Sequence, residues 1–396
     1  MARVLALSFR FPYPLTDGAR IRIYNLCKIL AQEHTVDLVS LNEGPVPADS
    51  LRYVTPMFGE VYSFPFHPIR FKLNTLKGVL SRDSLQTYYH HFGKVQRWVD
   101  RNLSRYDLIF CFHIRMSRYL RGVTGVPRAI DFIDATSVNY RETQERARGI
   151  WRLVLPIENR RALAYELRML DTFDKAFITS AHDKAYLERH AGRRLNNLIV
   201  IPNGVREDLL LRPPVEDEED WIVFLGKMNY APNVDAVMYF AKEVFPHVRA
   251  RLPEAKFVIV GTSPAKEVLK LARIPGISVT GYVEDPYVYL ERATVIVAPL
   301  RFAAGIQNKI LEAMALRKAV VTTSKGARGI TAQDGEHFLV ADEPEDIAEK
   351  VVQLWRAPEL RAELGHNARR LIEQQYRWDV IAQRLLTAID VLVSGK

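Results

Sequence analysis

The chain is 396 residues long, 48% hydrophobic and 26% charged, a length that calls for two domains and a composition ordinary for a globular protein. No apolar run approaches the roughly 20 residues that cross a bilayer, and the two cysteines, Cys27 and Cys111, lack metal-ligand spacing and suit a reducing compartment. The 55 basic against 46 acidic residues, a net charge of +9, suit an anionic partner such as a nucleotide phosphate or an acidic lipid surface, while zinc-finger, RNA-binding-sheet and basic-helix patterns are missing, which argues against nucleic acid.

The opening MARVLALSFRFPYP reads as a first strand at residues 4–8 running into a loop, rather than as a secretion signal, so the expected location is the cytoplasm. Ile23, Leu26, Cys27 and Leu30 then recur at helical spacing. Further strands are expected at residues 36–41, 61–66, 108–112, 129–133 and 176–179. These runs are apolar throughout, as in strands covered on both faces, and they alternate with helices. That pattern predicts an α/β fold with a doubly wound parallel sheet. Around residues 203–220 the periodicity stops in a stretch with two prolines and an acidic run, which reads as a linker over 205–220. A second series follows, with strands at 221–225, 257–260, 277–280, 295–299, 319–323 and 338–340. An amphipathic helix after the first of these places Val234, Val237, Ala241, Val244, Phe245 and Val248 on one face and ends near Pro253. Helices at 344–355, 358–375 and 378–393 close the chain. The expected organisation is a first domain over 1–204, a second over 221–375, a cleft between them, and a last helix over 376–396 packing back on the first.

Ligands of doubly wound sheets bind beyond the carboxyl ends of the strands. After the first strand, Gly18 opens a helix that carries Arg22, a combination suited to a phosphate. After residue 225 come Gly226, Lys227, Asn229 and Asn233, a cation and neutral donors beside a glycine. Gly261 ends another strand, and Tyr282 and Val283 follow a further strand-end glycine, where a base could lie against backbone groups. The most informative stretch is VAPLRFAAGIQNKILEAMALRKAVVTT. Small residues ending in Gly305 lead into a helix over 306–316 that opens on Ile306 and contains Asn308, Lys309 and Glu312. Amides at such a helix start attract an anion, Lys309 adds a point charge, and Glu312 lies on the same face, placed to accept hydrogen bonds from a ribose diol. In the first half, His113, Asp131 and Asp134 end neighbouring strands and are candidate catalytic groups, with His113 or Asp134 taking a proton from an acceptor hydroxyl.

The succession GKMNYAPNVDAV, VIVG, GYVEDPYVYL and APLRFAAGIQNKILEAMALRKAVV resembles the donor domain of GT-B glycosyltransferases of family four, in the branch associated with PEP-CTERM/exosortase exopolysaccharide clusters. FPYPLTDGARIRIYNL, DFIDATS and RALAYELRMLDTFDKAFITS extend the resemblance into the first half. It implies two Rossmann-like domains, a nucleotide-diphosphate sugar as donor substrate, transfer with net retention, and neither a metal nor another cofactor. On this resemblance Lys227 binds phosphate, Glu312 binds the donor ribose and His113 is the cleft histidine. The chain departs from it at Ala304, where a glutamate facing the donor sugar is usual, and near Asn233, where a second phosphate-binding lysine is usual; Lys309 is placed to supply that charge.

The stretch RARGIWRLVLPIENRRALAYELR interleaves Trp151, Leu153, Val154, Leu155 and Ile157 with arginines, as in helices that lie on anionic lipid. It points to a lipid-linked or polysaccharide acceptor at the inner face of a membrane, with a core helix bearing a solvated basic face as the plain alternative. The competing functions are a nucleotide-sugar epimerase of the same build and a non-catalytic sugar-nucleotide-binding subunit. A dinucleotide-dependent dehydrogenase is disfavoured, since no G-x-G-x-x-G follows either first strand.

Overall fold

The computed structural model describes residues 1–144, 147, 149–215, 218–303 and 305–395. The chain forms two compact units, Met1–Asn203 with Ile381–Lys396, and Gly204–Val380.

The first unit is built on seven strands: β1 (Arg3–Ser8), β2 (Thr35–Glu43), β3 (Val61–Phe66), β4 (Leu108–Phe112), β5 (Arg128–Asp131), β6 (Lys175–Ile178) and β7 (Leu198–Val200). All pair in parallel, in the order β3-β2-β1-β4-β5-β6-β7. Every residue of β4 is buried, as is every residue of β1 after Arg3, which is why these segments read as unbroken apolar runs rather than alternating ones. The last strand, β7, escaped the sequence reading.

The second unit carries β8 (Glu219–Leu225), β9 (Lys256–Val260), β10 (Ile277–Gly281), β11 (Ala293–Ala298), β12 (Val320–Thr322) and β13 (Leu339–Val340), again all parallel. Their order is β10-β9-β8-β11-β12-β13. In both sheets the first strand of the unit is central, and the strand order reverses beside it, between β1 and β4 and between β8 and β11. The expected α/β class and Rossmann-like doubly wound sheets are what the chain forms.

Two local readings need correction. The stretch over 205–220 is not an unstructured linker. It holds a helix at Glu207–Leu211, with Val205 and Leu209 buried in the core of the second unit. The amphipathic helix after β8 is not continuous either. It runs Ala231–Tyr239, opens into a π turn at Phe240–Val244 and resumes over Phe245–Arg249. Pro246 has no N–H to give and its ring crowds the preceding turn, and the wider turn removes that conflict. The apolar face survives the interruption: Val237, Phe240, Ala241, Val244, Phe245 and Val248 are all buried in one cluster.

Candidate active site

The reversal point of the second sheet lies between the carboxyl ends of β8 and β11, the place where a doubly wound sheet receives a ligand. The turn after β8 rests against the turn after β9. Gly226 donates its N–H to the Val260 carbonyl at 3.0 Å, and Met228 donates to the Thr262 carbonyl at 2.9 Å. Gly261 has φ +151°, and a Cβ there would lie 1.7 Å from the Gly226 carbonyl oxygen. Only glycine lets the two backbones meet.

Asn233 is buried on the helix that follows β8. Its Nδ2 donates to the Lys227 carbonyl at 3.0 Å, and its Oδ1 accepts from Lys309 Nζ at 2.7 Å. Lys309 reaches this point from the helix Asn308–Ala315, which the chain enters after β11 through Gly305 at φ +64°. The ammonium also lies 5.1 Å from the centroid of the Phe224 ring. Burial draws the Lys309 pKa down to about 8, opposed by the attraction of Glu312. Glu312 accepts a hydrogen bond from the Tyr287 hydroxyl at 3.3 Å, and burial raises its pKa while that bond, Lys309 and Arg206 lower it. The Arg206 guanidinium stands 5.4 Å from the Tyr287 ring. The Gln307 side chain does not cap the Asn308–Ala315 helix. A half-buried ammonium, a helix start and a held carboxylate therefore share one corner. Such a corner can bind a group that is anionic at one end and hydroxyl-bearing at the other.

The sequence reading placed most of this, with changes of role. Asn233 is a neutral partner that orients Lys309, and its amide already serves the Lys227 carbonyl. Lys227 and Asn229 have exposed side chains at the rim. Ile306 is buried in the core of the unit, and Val283 packs against the same core. Tyr282 is 76% exposed. Ala304 lies outside the described residues. The reading missed Tyr287, though it stands within a quoted motif, and Arg206, which stands in the stretch taken for a linker.

In the first unit two expectations fail. Arg22 is wholly buried and holds Asp131 with a pair of bonds, Nε to Oδ2 at 2.7 Å and Nη2 to Oδ1 at 2.8 Å. Its Nη1 donates to the carbonyls of Ile201 and Pro202 and to Asn203 Oδ1. Arg22 is thus spent on tying β5 to the segment after β7 and is not a phosphate ligand. Asp131 is its counter-ion and not a catalytic base. Gly18 does begin a helix, but the Asp17 carboxylate caps it, accepting from the Arg20 N–H at 3.1 Å and pairing with Arg10 and Arg20. An anion already occupies that helix start, which disfavours a second one.

His113 and Asp134 keep properties suited to proton chemistry. His113 sits at φ +68°, and its Nδ1 accepts from the Arg115 N–H at 3.3 Å. Burial and then the neighbouring arginine hold its pKa well below the usual histidine range, so the ring is neutral with its proton on Nε2. Asp134 accepts from the Thr179 hydroxyl at 2.8 Å, and burial followed by repulsion from Asp183 pushes its pKa up to about 7. A cavity of about 850 Å³ opens beside the β1/β4 reversal, lined among others by Phe9, Arg10, His90, Arg115, Tyr140 and Trp151. The sequence reading singled out neither Arg10, His90 nor Arg115.

Two family models match the chain in succession. The model described as Glycosyltransferase Family 4 matches residues 16–209, and the one described as Glycosyl transferases group 1 matches residues 219–357. Both halves of the chain are glycosyltransferase domains of the family 1/4 type. Along nearly its whole length this glycosyltransferase is similar to an uncharacterized 44.6 kDa protein in the cps region of Klebsiella pneumoniae, 21% identical over 95% of this chain and 97% of that one. It is also similar to the lipopolysaccharide 1,2-N-acetylglucosaminetransferase of Salmonella typhimurium, 23% identical over 76% and 83% of the two chains. Among solved structures, Anabaena Alr3699/HepE in complex with UDP-glucose superposes with a TM-score of 0.66 over 98% of this chain and 100% of that one, at 15% identity. That likeness shows a shared GT-B fold.

Proposed function

We propose that the glycosyltransferase transfers a sugar, with retention and without a metal, from a nucleotide-diphosphate sugar to a lipid-linked or polysaccharide acceptor in exopolysaccharide assembly. The observation that carries this reading is the corner formed by Lys309, Asn233, Glu312 and Tyr287 at the β8/β11 reversal. Lys309 and the amides of its helix start supply the positive potential that a metal would otherwise supply to a leaving diphosphate. Glu312, kept in place by the Tyr287 hydroxyl, accepts from the ribose diol. In the proposed reaction the acceptor oxygen attacks the anomeric carbon on the face from which the diphosphate leaves. The nucleotide diphosphate departs with the bond electrons, and the acceptor proton passes to it. The similarity to a cps-region protein and to a lipopolysaccharide sugar transferase supports a polysaccharide context.

A nucleotide-sugar panel read by thermal unfolding tests the donor site. One nucleotide series should stabilise the protein by about 2.7 kcal/mol at 100 times its dissociation constant; no response to any nucleotide would overturn the reading. Persistence of transfer in excess EDTA checks the metal-independent step, and its loss would refute that part.

A membrane-surface acceptor is favoured by two neighbouring segments. Ile69, Leu73, Leu76, Val79 and Leu80 on one, and Ile150, Trp151, Leu153 and Ile157 on the other, are exposed. Arg161 Nη2 donates to the Val79 carbonyl at 2.9 Å and so ties them together. Arg70, Lys72, Lys77, Arg82, Arg152 and Arg160 stand exposed among them, while Asp83 and Glu158 are buried. Apolar side chains ringed by cations suit anionic lipid. No helix among the described residues is long and apolar enough to cross a membrane. Co-sedimentation with vesicles containing phosphatidylglycerol, lost in neutral vesicles and in Trp151→Ser/Leu153→Ser, is the expected result; equal behaviour in all three would contradict it.

A further inference from the structure

The walls of the cavity in the first unit carry more positive than negative charge, Arg10, Arg20 and Arg115 against Glu43 and Glu158. It opens where the strand order reverses beside β1, so Phe9 and Arg10, which follow β1, and Arg115, which follows β4, meet there. The Arg10 and Arg115 guanidinium carbons lie 4.6 Å and 4.9 Å from the centroid of the Phe9 ring. Arg115 donates from Nε to Gln86 Oε1 at 2.7 Å, a neutral acceptor. Among the described residues no carboxylate forms an ion pair with it. Burial, and after it the charge of Arg10, pulls the Arg115 pKa down to about 10. Arg10 has Asp17, at 3.3 Å, but Asp17 is shared with Arg20. Of the two carboxylates in the wall, Glu43 attracts both arginines through space without an ion pair to either, and Glu158 is engaged elsewhere. Glu43 accepts from the Tyr89 hydroxyl at 2.7 Å, and Glu158 pairs with Arg161 and accepts from Leu85 N–H.

His90 supplies a second, independent mark of a ligand. It lines the same cavity, is 6% exposed, and its buried Nδ1 has no hydrogen-bond partner. Burial and then Arg115 hold its pKa well below the histidine range, against a hydrogen bond from the ring to the Gln86 backbone that raises it, so it remains neutral. A buried ring nitrogen without a partner is a place for a ligand's polar group.

Resting on the proposed glycosyl transfer, we infer that the acceptor is anionic: a carboxylate or phosphate on it binds the Arg115 guanidinium with support from Arg10, while a neutral polar group bonds His90 Nδ1. The Nη groups of Arg115, which lines the cavity, form the planar fork that either anion accepts as a pair of bonds. Phe71, Trp151 and Leu155 add apolar stretches to a wall that is otherwise mixed. The cavity thus fits a molecule charged at one end and greasy or ring-like at the other.

The test uses the full chain, saturated with whichever nucleoside diphosphate stabilises it so that the donor corner is closed to added anions. Methyl glucuronide, glucose 6-phosphate and methyl glucoside are titrated by calorimetry. Binding of the glucuronide points to a uronate acceptor, binding of the phosphate ester to a phosphorylated one, and either supports the inference provided the neutral glucoside binds at least about tenfold more weakly, the loss expected when a charge-assisted hydrogen bond is absent. Arg115→Gln should weaken the anionic ligand by about the same factor, and Arg115→Lys should recover part of it while folding equally well. Equal binding of charged and neutral sugars, no binding of any of the three, or indifference to both Arg115 substitutions overturns the inference. Failure of every nucleoside diphosphate to stabilise the protein would instead sink the donor reading, and the titration would then be run without nucleotide.

Discussion

The two sheets share one strand pattern, yet they spend the charges at their carboxyl ends differently. In the first, Arg22 and Asp131 neutralise each other with no solvent exposure, and the Nη1 group of the arginine goes to two carbonyls and Asn203. In the second, Lys309 has one neutral partner and Glu312 one tyrosine hydroxyl. A position in the topology therefore does not make a charged residue a ligand group. What decides is whether its hydrogen-bonding capacity is already consumed by the fold. The same test separates residues within the first unit: Arg22 is consumed, and Arg115 is not.

The largest effect should come from breaking the consumed pair. Arg22→Met leaves a buried, unpaired Asp131 and should cost about 3–5 kcal/mol, visible as a melting temperature lowered by roughly 2–4 °C for each kcal/mol. Arg22→Met/Asp131→Leu should recover much of that stability, because no charge is then left stranded. If the single change is silent, the pair does not do what the geometry indicates.

Lys309→Ala probes the unconsumed side. Removing a preorganised cation from the leaving group should lower turnover about 10²–10³-fold with little change in melting temperature, since the fold gains almost nothing from a desolvated ammonium. Unchanged turnover at saturating donor would remove Lys309 from the mechanism.

A smaller effect is the pH dependence of donor affinity. Burial depresses the Lys309 pKa in the folded chain to about 8, from an ordinary value of 10.5. The ammonium is therefore charged below pH 8 and discharged above it, and donor binding should weaken by up to about tenfold per pH unit beyond that point. Folding stability moves the other way. Between pH 8 and 10.5 the unfolded chain holds the proton that the folded chain has released, so this group's contribution rises with pH. Lys309→Arg, which stays charged, should flatten the affinity profile; an unaltered slope would assign the dependence to another group.

How much of this was readable from the residues follows from the same physics. The strands were legible because strands covered on both faces must be apolar throughout, and residues 108–112 coincide with β4, which is buried at every position. Lys309 and Glu312 were legible because they follow a strand and share one helical face. Arg22 was misread because a helical arginine looks alike whether solvated or buried, and its partner lies 109 positions along the chain. Tyr287 and Arg206 reach Glu312 only through the crossing of strands, and no spacing rule connects them. The Arg10–Phe9–Arg115 group was hidden for the same reason: it exists only once β1 and β4 lie side by side.

Hydrogen–deuterium exchange of the full chain, with and without a stabilising nucleotide sugar, tests the donor assignment most directly. Slowed exchange should concentrate in the turn amides of residues 226–229 and 261–262 and in the helix start at residues 305–309, with residues 18–22 unaffected. Protection at 18–22, with none at 305–309, would contradict it.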